Sequence, residues 1–376
     1  MPTDAHLAEA LAAVVDPELR RQIGGLGMLR GVAVAGGRAQ VGVALPADSH
    51  PTEELERRLV AAGQGAGVEI DVEYEVMSED EQRALRVQLI GDPESTAGSQ
   101  PGHGHAQGRA IPFAEPGSPT RVLLIASGKG GVGKSSVTTN LSIALARRGR
   151  RVAVVDADVW GFSIPRMMGV DRPPTVIDQM IVPPAAHDVR VISMGFFARE
   201  DQPVIWRGPM LHKALEQFLT DVFWDDPDFL VIDLPPGTGD ISLSLAQFVP
   251  RGEVFVVTTP QAAAQKVAQR AAFMAEKVNL DVRGVIENMS WFTGDDGTRY
   301  ELFGAGGGAE LAELLGVALV GQVPLVPALR EGGDTGQPIV VTEPEGETAL
   351  VFAEMARRVD EELQPTRRYN PGLKLL

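Results

Sequence analysis

The sequence predicts an α/β protein whose main domain is a doubly wound, mostly parallel sheet, preceded by a small α+β domain. Three observations lead to this prediction. Apolar β runs alternate with helical stretches from about residue 121 onward. A glycine-rich loop with the pattern G-x-x-x-x-G-K-[ST] joins the first of these β runs to a helix. The length of 376 residues and an apolar content of 44% are those of a globular protein with room for two domains.

The first predicted domain covers residues 1–90. It opens with a helical run through Leu7, Leu11 and Val14. Short β patterns follow at 29–34, 40–44 and 68–76, with a helical run at 53–62 between the second and the third. Short β runs interleaved with helical stretches predict a small α+β domain.

Residues 91–119 differ in composition from both flanking regions, because they are rich in glycine, proline and serine. Almost none of these residues could be buried, so we expect a flexible linker. His103 and His105 lie in this segment and make a weak candidate metal site on composition alone. Residues 364–376 form a C-terminal tail that is short and interrupted by prolines, so no basic amphipathic helix for membrane binding is expected there.

The main domain covers residues 120–363 and contains a series of apolar β runs separated by helical stretches. The runs lie at 122–126, 151–155, 189–194, 229–232, 253–258, 282–286 and 319–322. They are rich in valine and isoleucine, which is typical of parallel strands covered on both faces. Ligands of such sheets bind at the carboxyl ends of the strands.

Residues 128–135 match the phosphate-binding P-loop, with a β run before them and an amphipathic helix after them. Glycines let the backbone N–H groups curl around phosphate oxygens, and the helix N-terminus attracts anions. Lys134 brings a compact charge to the β- and γ-phosphates, and the Ser135 hydroxyl is a predicted Mg²⁺ ligand. The residues predicted to bind the nucleotide here are Gly128, Lys129, Gly130, Gly131, Val132, Gly133, Lys134, Ser135 and Ser136.

Aspartates follow two of the β runs at the predicted ligand-binding edge. Asp156 and Asp158 come directly after the second run, and Asp233 follows the fourth, with Gly237 four residues further on. Phosphoanhydride hydrolysis needs Mg²⁺ and a positioned water more than covalent chemistry. We therefore expect Asp156 and Asp233 in the metal shell, Asp158 orienting the attacking water, and the Gly237 N–H contacting a γ-phosphate. Helix capping is the alternative interpretation of each aspartate, but three beside a P-loop favour catalysis.

The composition excludes several classes of function. The chain contains no cysteine, so disulfides, thiolate metal sites and cysteine nucleophiles are excluded. The net charge of −16 argues against nonspecific binding to nucleic acid or to an anionic membrane. No apolar run approaches the ~18 residues needed to cross a bilayer, and the start lacks a basic targeting region, so we expect a cytoplasmic protein.

Five motifs in the main domain together resemble one family. The loop at 128–135 is similar to the deviant Walker A form of the MinD/ParA/nitrogenase iron-protein class of P-loop ATPases. The others are Trp-Arg-Gly-Pro-Met at 206–210, Asp-Leu-Pro-Pro-Gly-Thr-Gly-Asp at 233–240, Thr-Thr-Pro-Gln at 258–261 and Glu-Asn-Met-Ser at 287–290. From about residue 121 to 361 the chain resembles the Mrp/ApbC/Nbp branch, the ATP-dependent iron–sulfur cluster carriers. The first domain, with Asp-Pro-Glu-Leu at 16–19 and Leu-Gly-Met at 26–28, resembles the small domain of iron–sulfur and aromatic-degradation accessory proteins.

The resemblance implies roles for individual residues. Lys129 would reach across a homodimer to the partner subunit's phosphates, although a solvated loop charge is the simpler interpretation of a lysine there. Asp158 would orient the attacking water, and residues 233–237 would form the second switch segment. Asn288 would hydrogen-bond the adenine. The family also implies ATP, Mg²⁺ and an iron–sulfur cluster as bound groups, with iron–sulfur scaffold or apo-target proteins as partners.

One feature of the family is missing from this sequence. In the carriers, Asn-Met-Ser is followed within a few residues by Cys-x-x-Cys, where two subunits share one cluster, whereas here Ser290 is followed by Trp-Phe-Thr-Gly-Asp-Asp-Gly-Thr. His50 likewise stands where the first domain usually has a cysteine before proline. Clusters are held by thiolates, so the sequence predicts an intact ATPase without its own cluster ligands. Asp295 and Asp296 suit Mg²⁺ or Ca²⁺ better than a cluster, but residues 294–297 are more simply a turn between β segments.

Three functions remain open from the sequence. The first is a dimeric ATPase of the carrier family that acts in iron–sulfur cluster assembly with cluster ligands supplied by other proteins. The second is a MinD/ParA-like switch or positioning ATPase that regulates binding to a protein partner. The third is a metabolic kinase, for which the sequence shows no acceptor site.

Overall fold

The structure, a computed structural model, describes residues 4–91, 111–115, 117–159, 161–197, 208–237 and 240–365. Most of the predicted linker with His103 and His105, residues 206–207 of the Trp-Arg-Gly-Pro-Met motif and most of the predicted tail lie outside these ranges. The chain divides into two compact units. The first comprises residues 1–100, 174–183 and 221–223, and the second comprises the remainder.

The described residues form α-helices and β-strands in the following order along the chain. The strands are β1 Leu29–Ala35, β2 Arg38–Leu45, β3 Glu69–Val76, β4 Arg121–Ser127, β5 Val152–Asp156, β6 Thr175–Ile177, β7 Met180–Val182, β8 Ala185–Ala186, β9 Val189–Ser193, β10 Phe229–Asp233, β11 Glu253–Thr258, β12 Asp281–Asn288, β13 Phe292–Thr293, β14 Arg299–Tyr300 and β15 Ala318–Val323. The helices are α1 Asp4–Ala12, α2 Glu53–Gly65, α3 Glu79–Ile90, α4 Lys134–Arg147, α5 Ile164–Met167, α6 Gly208–Thr220, α7 Asp240–Phe248, α8 Ala262–Lys277, α9 Gly307–Leu315, α10 Pro327–Thr335, α11 Ile339–Thr342 and α12 Glu347–Arg357.

The first unit contains a three-stranded sheet in the order β1-β2-β3, with β1 antiparallel and β3 parallel to β2. A parallel pair needs a crossover connection, which α2 provides between β2 and β3. Leu55 and Leu59 of α2 are fully buried in the same core as Leu7 and Leu11 of α1. The three strands and two helices predicted from the sequence are therefore confirmed, and α3 is an additional element.

A hairpin from later in the chain belongs to the first unit as well. Strands β6 and β7 pair antiparallel, and Ile177, Met180 and Val182 are fully buried in the core of this unit. Asp178 and Gln179 at the turn both have positive φ, as a two-residue hairpin turn of the favoured twist requires. No local sequence pattern predicts this insertion, because it depends on packing between residues distant in sequence.

The motif at residues 16–19 folds around a buried aspartate. Oδ1 of Asp16 accepts hydrogen bonds from the backbone N–H groups of Glu18 at 3.0 Å and Leu19 at 2.7 Å. Oδ2 of Asp16 lies 2.8 Å from Nε2 of His50, and both side chains are fully buried. The histidine that stands at the family's cysteine position thus holds a turn of the fold.

The second unit is built on an eight-stranded sheet in the order β15-β12-β11-β4-β10-β5-β9-β8. All neighbouring pairs are parallel except β8, which is antiparallel to β9 at one edge. Every residue of β5, β9, β10 and β11 is buried, as expected for parallel strands covered on both faces. The doubly wound, mostly parallel fold predicted from the sequence is confirmed, and each of its seven predicted β runs is a strand of this sheet.

The sheet order brings together the strands whose ends carry polar residues. Strand β10 lies between β4, which enters the glycine-rich loop, and β5. In the strand register Asp233 is opposite Ile125 on one side and Asp156 on the other. Three consecutive strands of the sheet therefore end at the same place. Within the described ranges, no helix is both long and apolar enough to cross a membrane.

Candidate nucleotide site

The loop between β4 and α4 requires glycine at several positions. At some of them a side chain would clash with neighbouring atoms, and at others the backbone has a positive φ. Gly131 and Gly133 have φ of +79° and +80°, a conformation that residues with a Cβ rarely adopt. A Cβ on Gly133 would also lie 2.1 Å from Nδ2 of Asn288. A Cβ on Gly128 would lie 2.2 Å from the carbonyl carbon of Val267 in α8. The loop is thus held between the end of β12 and the helix α8.

Two cleft residues at the start of α4 converge on one buried carboxylate. Nζ of Lys134 lies 2.5 Å from Oδ2 of Asp233, and the Ser135 hydroxyl donates to the same oxygen at 2.6 Å. Asp233 is fully buried and Lys134 is only 6% exposed. A buried carboxylate is stable only with such partners. The structure therefore brings together the P-loop lysine, the P-loop serine and the predicted metal-binding aspartate.

Asp156 is buried next to Asp233 and organises the loop that follows β5. Its Oδ1 accepts a hydrogen bond from the backbone N–H of Asp158 at 3.2 Å. Its Oδ2 accepts from the N–H of Ile164 at 3.2 Å and from the Ser193 hydroxyl at 3.1 Å. Burial, together with the negative charge of Asp233, raises the pKa of the Asp156 carboxyl well above its usual range. Asp156 is thus a second carboxyl group at the base of the site, and both of its oxygens bond protein donors.

The cleft above these residues has a volume of about 400 Å³. It is lined by Ser127, Lys129, Gly130, Gly131, Val132, Gly133, Lys134, Ser135, Ser136, Asp158, Gly161, Ser163, Met167 and Pro236. Asp158 is 7% exposed and accepts a hydrogen bond from the N–H of Gly161 at 3.1 Å. The predicted water-orienting aspartate therefore lies in the same cleft as the P-loop.

Lys129 lies at the rim of the loop and does not join the lysine and hydroxyls that contact Asp233. Its Nζ lies 3.5 Å from Oε1 of Gln261, the last residue of the Thr-Thr-Pro-Gln motif. Its backbone carbonyl accepts a hydrogen bond from the Ser127 hydroxyl at 3.1 Å. Lys129 is half-buried, so its ammonium group is within reach of solvent beside the cleft.

Gly237 and Asn288 make contacts with the loop itself. The Gly237 N–H donates to the carbonyl of Ser127 at 2.9 Å, so a γ-phosphate could bind this N–H only if that bond opened. Gly237 has φ of +98°, which only glycine adopts readily. The Asn288 amide donates to the Val132 carbonyl at 2.9 Å, while its buried Oδ1 has no hydrogen-bond partner among the described residues. Asn288 therefore presents one free acceptor beside the P-loop.

The segment after Ser290, where the carriers have Cys-x-x-Cys, forms a small hairpin. Strands β13 and β14 pair antiparallel, and the predicted turn at 294–297 is confirmed. Asp296 accepts bonds from the Thr298 backbone N–H at 3.0 Å and hydroxyl at 2.8 Å, and these bonds lower the pKa of its carboxyl. Arg299 stacks on the Trp291 ring at 4.3 Å. Across the described part of the chain, no group of three or more histidine, aspartate or glutamate side chains is arranged to hold a metal ion.

Several residues of the site were not found from the sequence. Ser163 and Met167 line the cleft but belong to a loop and a short helix without a phosphate-binding pattern, whereas Pro236, which also lines it, lies within the predicted switch segment 233–237. Thr138 donates to Oδ1 of Asp233 at 2.5 Å. A signal for Thr138 existed, because residues four apart on a helix share a face and Thr138 is four residues after Lys134.

Comparisons with known proteins agree with this geometry. Residues 118–360 match a family model described as the NUBPL iron-transfer P-loop NTPase, and residues 4–72 match the model of an iron–sulfur cluster assembly protein. The iron–sulfur cluster carrier protein of Mycobacterium leprae is 47% identical over 364 residues, which cover 93% of this chain and 91% of the relative.

Two solved structures share this fold over about two thirds of the chain. A nucleotide-binding protein from Archaeoglobus fulgidus, solved in complex with ADP, is 31% identical with a TM-score of 0.54 and covers 66% of this chain and 94% of its own. The cell division ATPase MinD of Pyrococcus furiosus is 26% identical with a TM-score of 0.51 and covers 64% of this chain and 98% of its own. On the family match, the near full-length relative and the P-loop geometry, the chain belongs to the iron–sulfur cluster carrier family of P-loop NTPases.

Proposed function

We propose that this protein binds ATP with Mg²⁺ and hydrolyses it, and that it acts in iron–sulfur cluster assembly or transfer. The observation that carries the ATPase proposal is the convergence of Lys134 and Ser135 on Asp233 at the ends of three neighbouring strands. Ligands of doubly wound sheets bind at this edge. The cleft beside it is lined by backbone of the glycine-rich loop, which supplies N–H donors for phosphate oxygens.

The residues present fit a nucleotide. The N–H groups of residues 130–136 and the Lys134 ammonium are donors for the phosphates, and the N-terminus of α4 adds electrostatic attraction. The free Oδ1 of Asn288 is an acceptor and suits the amino group of adenine. A keto oxygen at that position of the base would face this acceptor without a hydrogen bond, so the site favours ATP over GTP.

The residues also fit Mg²⁺, because hydroxyl and carboxylate oxygens are the ligands this ion prefers. Ser135 and Asp233 would hold the ion directly or through water. Asp156 would act through water, since both of its oxygens already accept protein hydrogen bonds. When bound, Mg²⁺ neutralises charge on the β- and γ-phosphates.

Hydrolysis then depends on residues at the cleft rim. Asp158 lines the cleft beside the P-loop, where its carboxylate would orient a water for attack on the γ-phosphate. Lys129, held beside Gln261, would supply a cation to the phosphates of a second subunit in a homodimer. The Gly237 N–H would exchange its bond to Ser127 for one to the γ-phosphate and so report the presence of ATP.

The residues of this chain do not fit the binding of an iron–sulfur cluster. It contains no cysteine, and His50 is bonded to Asp16 within the core of the first unit. We therefore propose that the cluster is cargo whose thiolate ligands belong to scaffold or apo-target proteins, and that the ATPase acts on those proteins in the cytoplasm. Membership in the carrier family and the match of residues 4–72 to an assembly-protein model support this role.

The second candidate function is a switch ATPase that uses ATP to regulate a protein partner without any cluster. The similarity of this chain to the cell division ATPase MinD favours it.

Two measurements test these proposals. Mg²⁺-dependent ATP hydrolysis by the wild type, lost in Asp158→Asn, tests the enzyme, and wild-type turnover by Asp158→Asn would refute the role of the aspartate. Cluster transfer from a loaded scaffold to an apo-target, measured with and without the protein and ATP, separates the carrier from the switch. No acceleration of transfer would favour the switch.

A further inference from the structure

Thr138 is the third side chain that donates to Asp233. Its Oγ1 lies 2.5 Å from Oδ1 of Asp233, and its side chain is fully buried. Lys134 and Ser135 contact the other oxygen, Oδ2. Positions three and four apart on a helix share a face, so α4 presents all three donors to one carboxylate.

The three donors differ in what else they contact. Lys134 and Ser135 line the cleft, and the proposed function gives each a second partner, a phosphate and Mg²⁺ respectively. Thr138 does not line the cleft, and its hydroxyl oxygen also lies 3.1 Å from the Lys134 carbonyl. A 2.5 Å contact is typical of a hydroxyl bonded to a carboxylate, so the single hydroxyl proton goes to Asp233. This bond can persist when the other two donors turn to the nucleotide.

We propose that Thr138 is a positioning residue that fixes the plane of the Asp233 carboxylate so that Oδ2 faces the Mg²⁺ site beside Ser135. The terminal torsion of an aspartate is broad and roughly two-fold, so an anchor on one oxygen decides where the other points. Backbone pairing of β10 places the Cα of Asp233, and Thr138 sets the remaining rotation. The inference rests on the proposed function, because it assigns Asp233 to the metal.

The test is the Mg²⁺ dependence of nucleotide binding, measured by calorimetry with a nonhydrolysable ATP analogue in EDTA and at a series of Mg²⁺ concentrations. Thr138→Val removes the hydroxyl and keeps the shape, and Thr138→Ala removes it without bulk if valine prevents folding. Both should raise the Mg²⁺ concentration for half-maximal enhancement of binding by about tenfold or more, the size of one lost hydrogen bond to a charged group. Affinity in EDTA should stay within about twofold, since Thr138 does not contact the nucleotide site directly.

Two variants serve as controls. Thr138→Ser keeps the hydroxyl and should restore the wild-type Mg²⁺ dependence, which a purely packing role for Thr138 would not predict. Thr139→Val changes a neighbouring buried threonine whose hydroxyl lies near Sδ of Met167 at 3.9 Å, and it should behave as wild type.

The outcomes are distinguishable. Wild-type Mg²⁺ dependence in Thr138→Val and Thr138→Ala, with loss of that dependence in Asp233→Asn, would overturn the inference and leave the proposed function intact. A tenfold shift in Thr138→Ser as large as that in Thr138→Val would also overturn it in favour of packing. Unchanged Mg²⁺ dependence in Asp233→Asn would remove the metal assignment itself, and the inference with it.

Discussion

Replacing Lys134 by alanine should do two separable things, because the lysine is both the phosphate-binding cation and the partner of a buried carboxylate. Without nucleotide, the substitution leaves Asp233 fully buried and deprived of the cation 2.5 Å away. Removing one member of a buried ion pair costs about 3–5 kcal/mol. Asp233 keeps the hydroxyls of Ser135 and Thr138, so we expect a loss of about 3 kcal/mol in the free energy of unfolding of the second unit, the lower end of that range.

The double variant Lys134→Ala/Asp233→Asn isolates this electrostatic part. An amide carries no charge, so the buried group no longer needs a cation, and most of the lost stability should return. The charged form of Asp156 is also destabilised by Lys134→Ala and stabilised by Asp233→Asn. The reason is that the positive charge of Lys134 lowers the pKa of Asp156 and the negative charge of Asp233 raises it. The coupling in the double-mutant cycle should therefore be at least about 1.5 kcal/mol.

Urea unfolding followed by tryptophan fluorescence measures the second unit selectively, because residues 1–100, 174–183 and 221–223 of the first unit contain no tryptophan. ATP-analogue binding, measured on the folded variants, should be lost in both. A Lys134→Ala protein as stable as wild type, or a double variant no more stable than the single one, would refute the assignment of Lys134 and Asp233 as a buried, mutually dependent pair.

Three further predictions follow from the site. Lys129→Ala should keep analogue affinity but lose most ATP turnover, because a charge supplied across a dimer acts chiefly on the transition state. Full activity of this variant, together with a monomer in sedimentation both with and without the analogue, would rule out the proposed dimer. Gly133→Ala should abolish analogue binding, because its Cβ would lie 2.1 Å from Nδ2 of Asn288. Gly149 has the same φ of +80° but open space around it, so Gly149→Ala should bind the analogue and lose only about 1 kcal/mol of stability. Equal binding by both variants would contradict this. Anaerobic reconstitution with iron and sulfide should give no stoichiometric [4Fe–4S] cluster, and a stable brown protein with about four irons per dimer would reveal ligands outside this account.

The main sheet of the second unit was predictable because its strands other than β8 are short runs rich in apolar residues. The six-residue strand β11 has the predicted bounds, and the eight-residue strand β12 extends slightly beyond its predicted run. Burial of a strand on both faces makes its apolar pattern easy to recognise in the sequence. The hairpin β6–β7 was not predictable, because its burial in the core of the first unit depends on long-range packing rather than on a local period.

The candidate site also has a part that was predictable from the sequence and a part that was not. The phosphate loop and Asp233 were predictable because chemistry fixes residue type and spacing there. The position of Lys129 beside Gln261 and the hydrogen bond from Gly237 to Ser127 were not, because both depend on how separate loops meet. His50 is the clearest example, since only the structure shows that it holds the Asp16 turn.

The central proposal for this protein is an ATPase whose phosphate chemistry needs no iron. The decisive measurement is therefore Mg²⁺-dependent ATP hydrolysis by wild-type protein purified with a chelator and shown by analysis to contain no iron, with Lys134→Ala as the blank. We predict slow hydrolysis that is abolished by EDTA and restored by Mg²⁺, because the contacts of Lys134 and Ser135 with Asp233 and the place of Asp158 in the cleft involve no thiolate. Hydrolysis that is indistinguishable from the Lys134→Ala blank, or that begins only after loading with iron and sulfide, would contradict it.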